Sequence, residues 1–429
     1  MKKKTLACFL AAILCLPALT GCGGSGSTQN GEAVDSTEAG AMGQETQNAS
    51  DGVVTLTVWG AEEDQELLAE IVESFKAEYA GKAQFDITIA AESESSCKDT
   101  LLGDLKNGAD VFAFVDDQLM TLVAAGALVP AENPDEIRAT CSEGAVEAST
   151  VNDTLYAYPM TADNGYFMYY NKAYFTEEDV QTLDGMLEVA AANGKKVAMD
   201  WSSGWYIYSF FGATGLTVGL NDDGISNYCT WNDTTGAIKG TDVVEAMLAI
   251  GSNPGFGNMT DGDFIAGVQD GSVIAGVSGV WDATAIEEAW GENYGAVKLP
   301  TYTCAGNQVQ MSSFAGYKMV GVNAYSDHPE WASKLAAWIT SEENQTLRFE
   351  KRGQGPANTS AASSSAVQES PAIKALIAQS DYASLQRIGG AYWEPVSALG
   401  SAMSSGDLGG LGIQEYLDSM VEKITVSNS

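Results

Sequence analysis

Leu155 to Lys172, LYAYPMTADNGYFMYYNK, decides between two folds. Tyr156 and Tyr158 alternate with Leu155 and Ala157 ahead of a polar turn, Thr161 to Gly165. Beyond the turn, Tyr166, Met168 and Tyr170 would share one face of a strand, and Phe167 and Tyr169 the other. Pro159 has no N–H for a sheet ladder, so the first strand must end or lie at an edge there. Taken alone, Asn164–Gly165 signals a tight hairpin. The alternative is a crossing point between two lobes, with Asp163 and nearby rings exposed to a cleft.

The flanking sequence favours the crossing. Upstream, Val54, Leu56 and Val58 alternate with threonines in a strand that ends at Trp59–Gly60. Acidic Glu62, Glu63 and Asp64 suit a helix start, and Leu67, Leu68, Ile71, Val72, Phe75 and Tyr79 follow at helical spacing. Phe85, Ile87 and Ile89 mark a second strand, then comes a helix near Lys98 to Lys106. The continuous apolar run up to Val115 suggests a parallel strand covered on both faces. A further helix spans Gln118 to Ala125. This β-α-β-α-β-α rhythm predicts a parallel sheet flanked by helices. Downstream the rhythm restarts. A helix is expected from Thr176 to Gly194, a strand over Lys195 to Asp200, and a short aromatic helix from Trp205 to Gly212. Helices are expected around Val243–Ile250 and Phe264–Val268, and strands over Ser272–Val277 and Tyr294–Pro300. In open α/β sheets, ligands sit at the carboxyl ends of strands. The loops there begin at Trp59, Asp116, Asp200 and Gly279.

At 429 residues and 45% hydrophobic, the chain has room for two or three domains with large cores. Lys and Arg number 21 against 57 Asp and Glu, a net charge of −36. Such a surface repels nucleic acid and anionic lipid and suits a neutral ligand or a basic partner. Lys2, Lys3 and Lys4 precede an apolar stretch, Leu6 to Leu19, too short to span a bilayer. Leu19 to Cys22 then resembles the lipobox of bacterial lipoproteins, which implies a signal peptide over 1–21 and lipid on Cys22. Residues 22–52, rich in Gly, Ser, Thr, Gln and acids, read as a disordered tether. The expected location is therefore the outer face of the cytoplasmic membrane, on a Gram-positive surface. Cys97, Cys141, Cys229 and Cys304 lack CxxC spacing, which speaks against a metal site. One or two disulfides stay open.

Several segments resemble extracellular solute-binding proteins of the maltose and maltodextrin type, receptors of ATP-binding-cassette (ABC) importers. Leu105 to Phe114, with Ala124 to Leu128, is similar to the family's "GDGPDIIFW … QSGLL", and Tyr156 to Lys172 to "AYPIAVEALSLIYNK". Asn293 to Pro300 resembles "NYGVTVLP", and Gly321 to Ser326 "GINAAS". The order is kept from about residue 53 to 424. The resemblance implies an α/β, two-lobed, type II periplasmic-binding-protein-like fold. The N-terminal lobe would take 53–162 and 317–356, the C-terminal lobe 163–316 and 357–429. Hinges would fall in the opening stretch, near Ala315–Met319 and near Gln354–Ala357. The expected function is capture of oligosaccharide, first of all maltose or maltooligosaccharides, and delivery to a permease by cleft closure. A monomer without cofactor or metal is implied.

The family's sugar contacts carry over unevenly. Trp281 stands where a tryptophan stacks on sugar, and Trp205 and Tyr206 where two adjacent rings face it. Asp117 matches a hydroxyl-binding aspartate, Asp163 lies near a hinge glutamate, and Glu63 and Asp64 fall in the first loop. Phe114 stands for a tryptophan and Gln118 for an arginine. The last stacking tryptophan aligns nearer Gly400, so Trp393 or Tyr392 would have to substitute. A pyranose has apolar faces, which rings cover, and a hydroxyl rim that donates to carboxylates. For Trp290, Trp331 and Trp338 core packing is expected. The only histidine, His328, precedes a helix, so histidine-based triads lack parts. Two alternatives remain. One is a binding protein for another oligosaccharide. The other is a surface glycosidase, which needs only two carboxylates, such as Asp117 and Asp163.

Overall fold

The computed structural model describes residues 52–221 and 223–426. The expected signal peptide, Cys22 and the tether up to residue 51 lie outside the described residues. Ten strands build the two principal sheets. They are β1 (Val53–Gly60), β2 (Gln84–Ala91), β3 (Val111–Val115), β4 (Tyr158–Thr161), β5 (Phe167–Asn171), β6 (Lys196–Met199), β7 (Phe256–Asn258), β8 (Val273–Ser278), β9 (Tyr294–Val297) and β10 (Lys318–Val322). The first sheet runs β2-β1-β3-β10-β4 and the second β7-β6-β8-β5-β9.

β4 and β5 therefore belong to different sheets, and the Asn164–Gly165 turn is a crossing, not a hairpin tip. Pro159 sits on an edge strand, where a missing N–H costs no central ladder bond. The alternation within β5 holds. Tyr166, Met168 and Tyr170 enter the core on one face of the second sheet, and Phe167 and Tyr169 the core on the other. β3 and β8 are buried along their whole lengths, as their unbroken apolar runs require.

The sheets are mixed, not wholly parallel. β1 runs parallel to β2 and β3, but β10 is antiparallel to β3 and β4. In the second sheet β5 is antiparallel to both neighbours. The antiparallel members are the strands that follow or precede a crossing, so the chain enters each sheet against its local direction. The helix expected from Thr176 begins at Leu183, capped by the Thr182 hydroxyl, and ends at Ala192. Thr176 and Asp179 instead close a separate turn, with the Asp179 carboxylate accepting the Thr176 N–H and O–H. All four described cysteines are free thiols. His328 occupies the position before the helix Pro329–Ile339. Trp290 is in a core beside the second sheet, and Trp331 and Trp338 pack at the margin of the first sheet's core.

Three connections pass between the sheets side by side. Ala162 N–H donates to Gly355 O at 2.9 Å, and Asn164 N–H to Gly316 O at 3.2 Å. A Cβ on Gly316 would lie 2.5 Å from Asp116 Oδ1, so a larger residue there would have to displace the buried carboxyl that accepts the Tyr317 N–H. A comparable close approach fixes the helix Trp393–Ser405 beside the second sheet. A Cβ on Gly400 would stand 1.9 Å from the Trp201 carbonyl oxygen. Gly400→Ala should therefore cost about 1–3 kcal/mol as overpacking, read as a lower urea midpoint. An unchanged midpoint would mean that the helix shifts freely away from Trp201.

Candidate functional site

The ends of β1 and β2 supply one wall of a cavity of about 420 Å³, through Glu62 and Glu63 on one loop and Glu92, Ser93 and Glu94 on the other. Lys318, Arg352 and Gln354, from beside the second and third crossings, close its back, and Trp281 comes from the second sheet's side. Trp281 owes its place to β8. That strand is fully buried, and the chain leaves it at Gly279 into a single turn, Val280–Asp282, which turns the indole outward. A second indole stands next to it. Trp205 lies in the first turn of the helix Gly204–Phe211, its ring centroid 5.7 Å from that of Trp281. Tyr166 braces Trp205 edge-on at 4.6 Å and donates its O–H to the Trp205 carbonyl. Trp205 Nε1 is buried without a hydrogen-bond partner among the described residues. Aromatic surface thus faces a wall of carboxylates and backbone, which is the division of labour a sugar requires.

The other sequence-derived candidates are distributed differently. Glu63 lines the cavity with Trp281. Tyr206 is buried behind Trp205 and donates to Asp261 at 3.2 Å. Asp64 is turned inward, where Arg348 pairs with it and Arg352 Nε donates to it at 3.0 Å. Burial alone would raise the Asp64 pKa, but the Arg348 charge and hydrogen bond outweigh it and hold the carboxyl low. Asp163 is also turned inward. It accepts the Gly355 N–H, so it laces the crossings and does not line the cavity. Phe114 is fully buried beside Phe112, since every residue of β3 is covered. Tyr392 is likewise in the core, its O–H spent on Gly204 O at 2.9 Å. Trp393 is partly buried against Tyr392 and Phe314. Asp117 Oδ2 accepts the Gln386 side-chain amide at 2.8 Å, while Oδ1 is buried and unpartnered. Gln118, at the arginine position, anchors the loop after β2 by donating to Glu94 O at 2.7 Å and Ser95 O at 2.9 Å.

Sequence reasoning missed Lys318, Glu94, Arg352 and Gln354. Lys318 carried a signal, as the one charged residue of the otherwise apolar β10, KMVGV. Glu94 lies in an acid-and-serine tract that reads as a solvated loop. Among the described residues, no group of three or more His, Cys, Asp or Glu is arranged to hold a metal ion. None of the described helices is long and apolar enough to cross a membrane.

Several carboxyls here are held above their usual range. Burial pushes Asp116 up to about 7, against the Tyr317 N–H bond. Burial raises Asp117 to about 6, with Gln386 pulling the other way. Loss of hydration raises Asp282 to about 7, opposed by the Ser278 hydroxyl and reinforced by Asp261 and Glu63. An acid with a raised folded pKa keeps its proton while the unfolded chain, near about 3.9, has lost it. The unfolded state then binds fewer protons, so stability falls as pH rises from about 4 through about 7. The melting temperature should therefore be higher at pH 5.5 than at pH 8, and Asp116→Asn should flatten the slope. A melting temperature that rises over this interval would contradict these assignments.

The profile of a family described as bacterial extracellular solute-binding protein matches residues 70–375. The galactooligosaccharide-binding protein of Bacillus subtilis (strain 168) is 27% identical over 344 residues, 76% of this chain and 78% of that one. A maltooligosaccharide ABC transporter solute-binding lipoprotein of Streptococcus pneumoniae (strain ATCC BAA-255 / R6) is 25% identical over 333 residues, 74% of this chain and 75% of the other. A solved structure with acarbose aligns at a TM-score of 0.78 and 31% identity, covering 87% of this chain and 99% of that one. The unliganded maltodextrin-binding protein MalE1 of L. casei BL23 aligns at 0.72 and 23%, covering 88% and 100%, a likeness of fold.

Proposed function

Because the chain belongs to the bacterial extracellular solute-binding proteins, we propose that it captures a neutral oligosaccharide between two lobes and delivers it to an ABC importer. The lobes are 53–162 with 317–356, and 163–316 with 357–429. Sugar touching both faces stabilises the closed form, which docks on the permease; a ligand shifts such an equilibrium only through differential affinity for its two states. The observation that carries the proposal is the cavity itself, which has Trp281 from one sheet opposite Glu63 and Lys318 from the other. Maltooligosaccharide is the first choice of ligand and galactooligosaccharide the second. These are the sugars named for the relatives in pneumococcus and Bacillus. Trp281, Trp205 and Glu63 are the contacts proposed from the original set, with Trp393 and Asp117 at the periphery. The protein works as a monomer, held to the outer face of a Gram-positive membrane by lipid on Cys22.

A thermal-shift screen against maltooligosaccharides, galactooligosaccharides, xylooligosaccharides and fructans tests the ligand class. A shift with one of the first two is expected, and none with any would overturn the proposal. The protein binds without turnover. Asp163 is committed to the Gly355 N–H and one oxygen of Asp117 to Gln386, which speaks against the pair as acid and nucleophile. Reducing ends accumulating during long incubation with maltotetraose, and lost in Asp117→Asn, would favour the glycosidase instead.

A further inference from the structure

Lys318 and Glu94 form a charge pair at the back of the cavity that is under-used by the protein. Lys318 Nζ stands 3.5 Å from Glu94 Oε1, long for a hydrogen bond, with the two side chains 12% and 9% exposed. Glu94 as a residue is 7% exposed, yet Oε1 has no hydrogen-bond partner among the described residues. Both residues line the cavity. A largely buried carboxylate with an oxygen left without a donor is costly, and the cost recedes when a ligand hydroxyl donates to the carboxylate.

The surroundings fix the charge of Lys318 and the aim of the pair. Burial opposes a charge on Lys318, but the carboxylates of Glu94, Asp163 and Asp64 outweigh it, despite Arg348, and keep the ammonium protonated. The Trp281 ring lies over Lys318 Nζ, its centroid 5.9 Å away. Trp281 approaches from the second sheet's side, whereas Lys318 and Glu94 belong to the first. A donor and an acceptor a few ångströms apart, beneath an aromatic plate, match adjacent hydroxyls on a ring whose apolar face meets the indole.

We propose that Lys318 and Glu94 form a diol-reading subsite that sets which epimers the protein accepts. Lys318 Nζ donates to one sugar oxygen, and the Glu94 carboxylate accepts the hydroxyl on the neighbouring carbon while Trp281 covers the ring. Inverting or deleting either hydroxyl leaves the buried ammonium or carboxylate short of a hydrogen bond that its weak partner does not replace, a stronger discrimination than a lost apolar contact gives. The inference rests on the proposed capture of neutral oligosaccharide and adds the group that discriminates among such sugars.

Calorimetry on the protein and on Glu94→Gln and Lys318→Met, with maltotriose, galactotriose and their monodeoxy derivatives, tests it. In the unmodified protein one deoxy position is expected to weaken binding of the preferred trisaccharide roughly ten- to hundredfold, as for hydrogen bonds to charged groups. In Glu94→Gln the parent sugar should bind less tightly, and the same deletion should cost less than about threefold. A pair that merely ties the loop to β10 would lower the melting temperature and leave the parent-to-deoxy ratio unchanged, which would overturn the inference. If either variant fails to fold, the other variant's ratio decides. Binding of neither trisaccharide by the unmodified protein would overturn the capture proposal, and this one with it. Binding with no deoxy position costing more than about threefold would overturn this one alone.

Discussion

Trp281→Ala is expected to weaken oligosaccharide binding at least about tenfold in calorimetry, with the melting temperature of the unliganded protein little changed. The indole is partly exposed on a single turn after a buried strand, so its removal opens no core cavity. What is lost is an aromatic plate that buries up to about 150–250 Å², at the place where the second sheet's side contributes to the cavity. Trp205, 5.7 Å away, keeps its bracing against Tyr166 and retains part of the apolar surface. The loss is therefore graded and not complete. Unchanged affinity would mean that sugar enters by a route that does not involve this face of the second sheet.

Arg348→Leu should produce the largest loss of stability, about 3–5 kcal/mol, as befits removal of one partner from a buried ion pair. Arg348 and Asp64 are almost fully buried, and Gln354 Oε1 accepts a second hydrogen bond from the same guanidinium at 2.9 Å. The leucine would leave the Asp64 carboxylate with Arg352 alone, on its more exposed side. In the double variant Asp64→Leu/Arg348→Leu the unpaired charge is gone, so the cost should drop well below that of the single change. Urea unfolding of the three variants measures this. A double variant less stable than Arg348→Leu would contradict the electrostatic account. The pair matters for function because the helix Glu342–Arg352 carries the third crossing out of the first sheet, and Gln354 and Arg352 line the cavity.

The sequence made legible whatever depends on neighbours along the chain. β1 and β5 declared themselves by alternation, and β3 and β8 by unbroken apolar runs. Trp281 declared itself by the glycine that ends β8. The crossing at Thr161–Gly165 was visible only through the two αβ rhythms flanking it and the family resemblance in register with them, since the local signal was that of a hairpin. Strand direction was less legible. Nothing within β10 says that it will run antiparallel between β3 and β4, because that follows from where the chain returns after some 150 residues in the second sheet. Side-chain destiny was least legible where the partner is remote. Asp163 is consumed by Gly355, Asp64 by Arg348 and Arg352, and Tyr392 by Gly204. Each was a fair candidate for a sugar contact until a residue far away in sequence took its hydrogen-bonding capacity. The reverse holds for Glu94 and Lys318. Sequence reasoning singled out neither as a site residue, and the fold encloses both at the back of one cavity.

The central claim is that one oligosaccharide touches both lobes and holds them together. Small-angle X-ray scattering of the protein, alone and saturated with the sugar giving the largest thermal shift, tests this most directly. A smaller radius of gyration with bound sugar, and no such decrease in Trp281→Ala at the same concentration, is the predicted result. Full occupancy by calorimetry, with identical scattering from the free and bound protein, would contradict it.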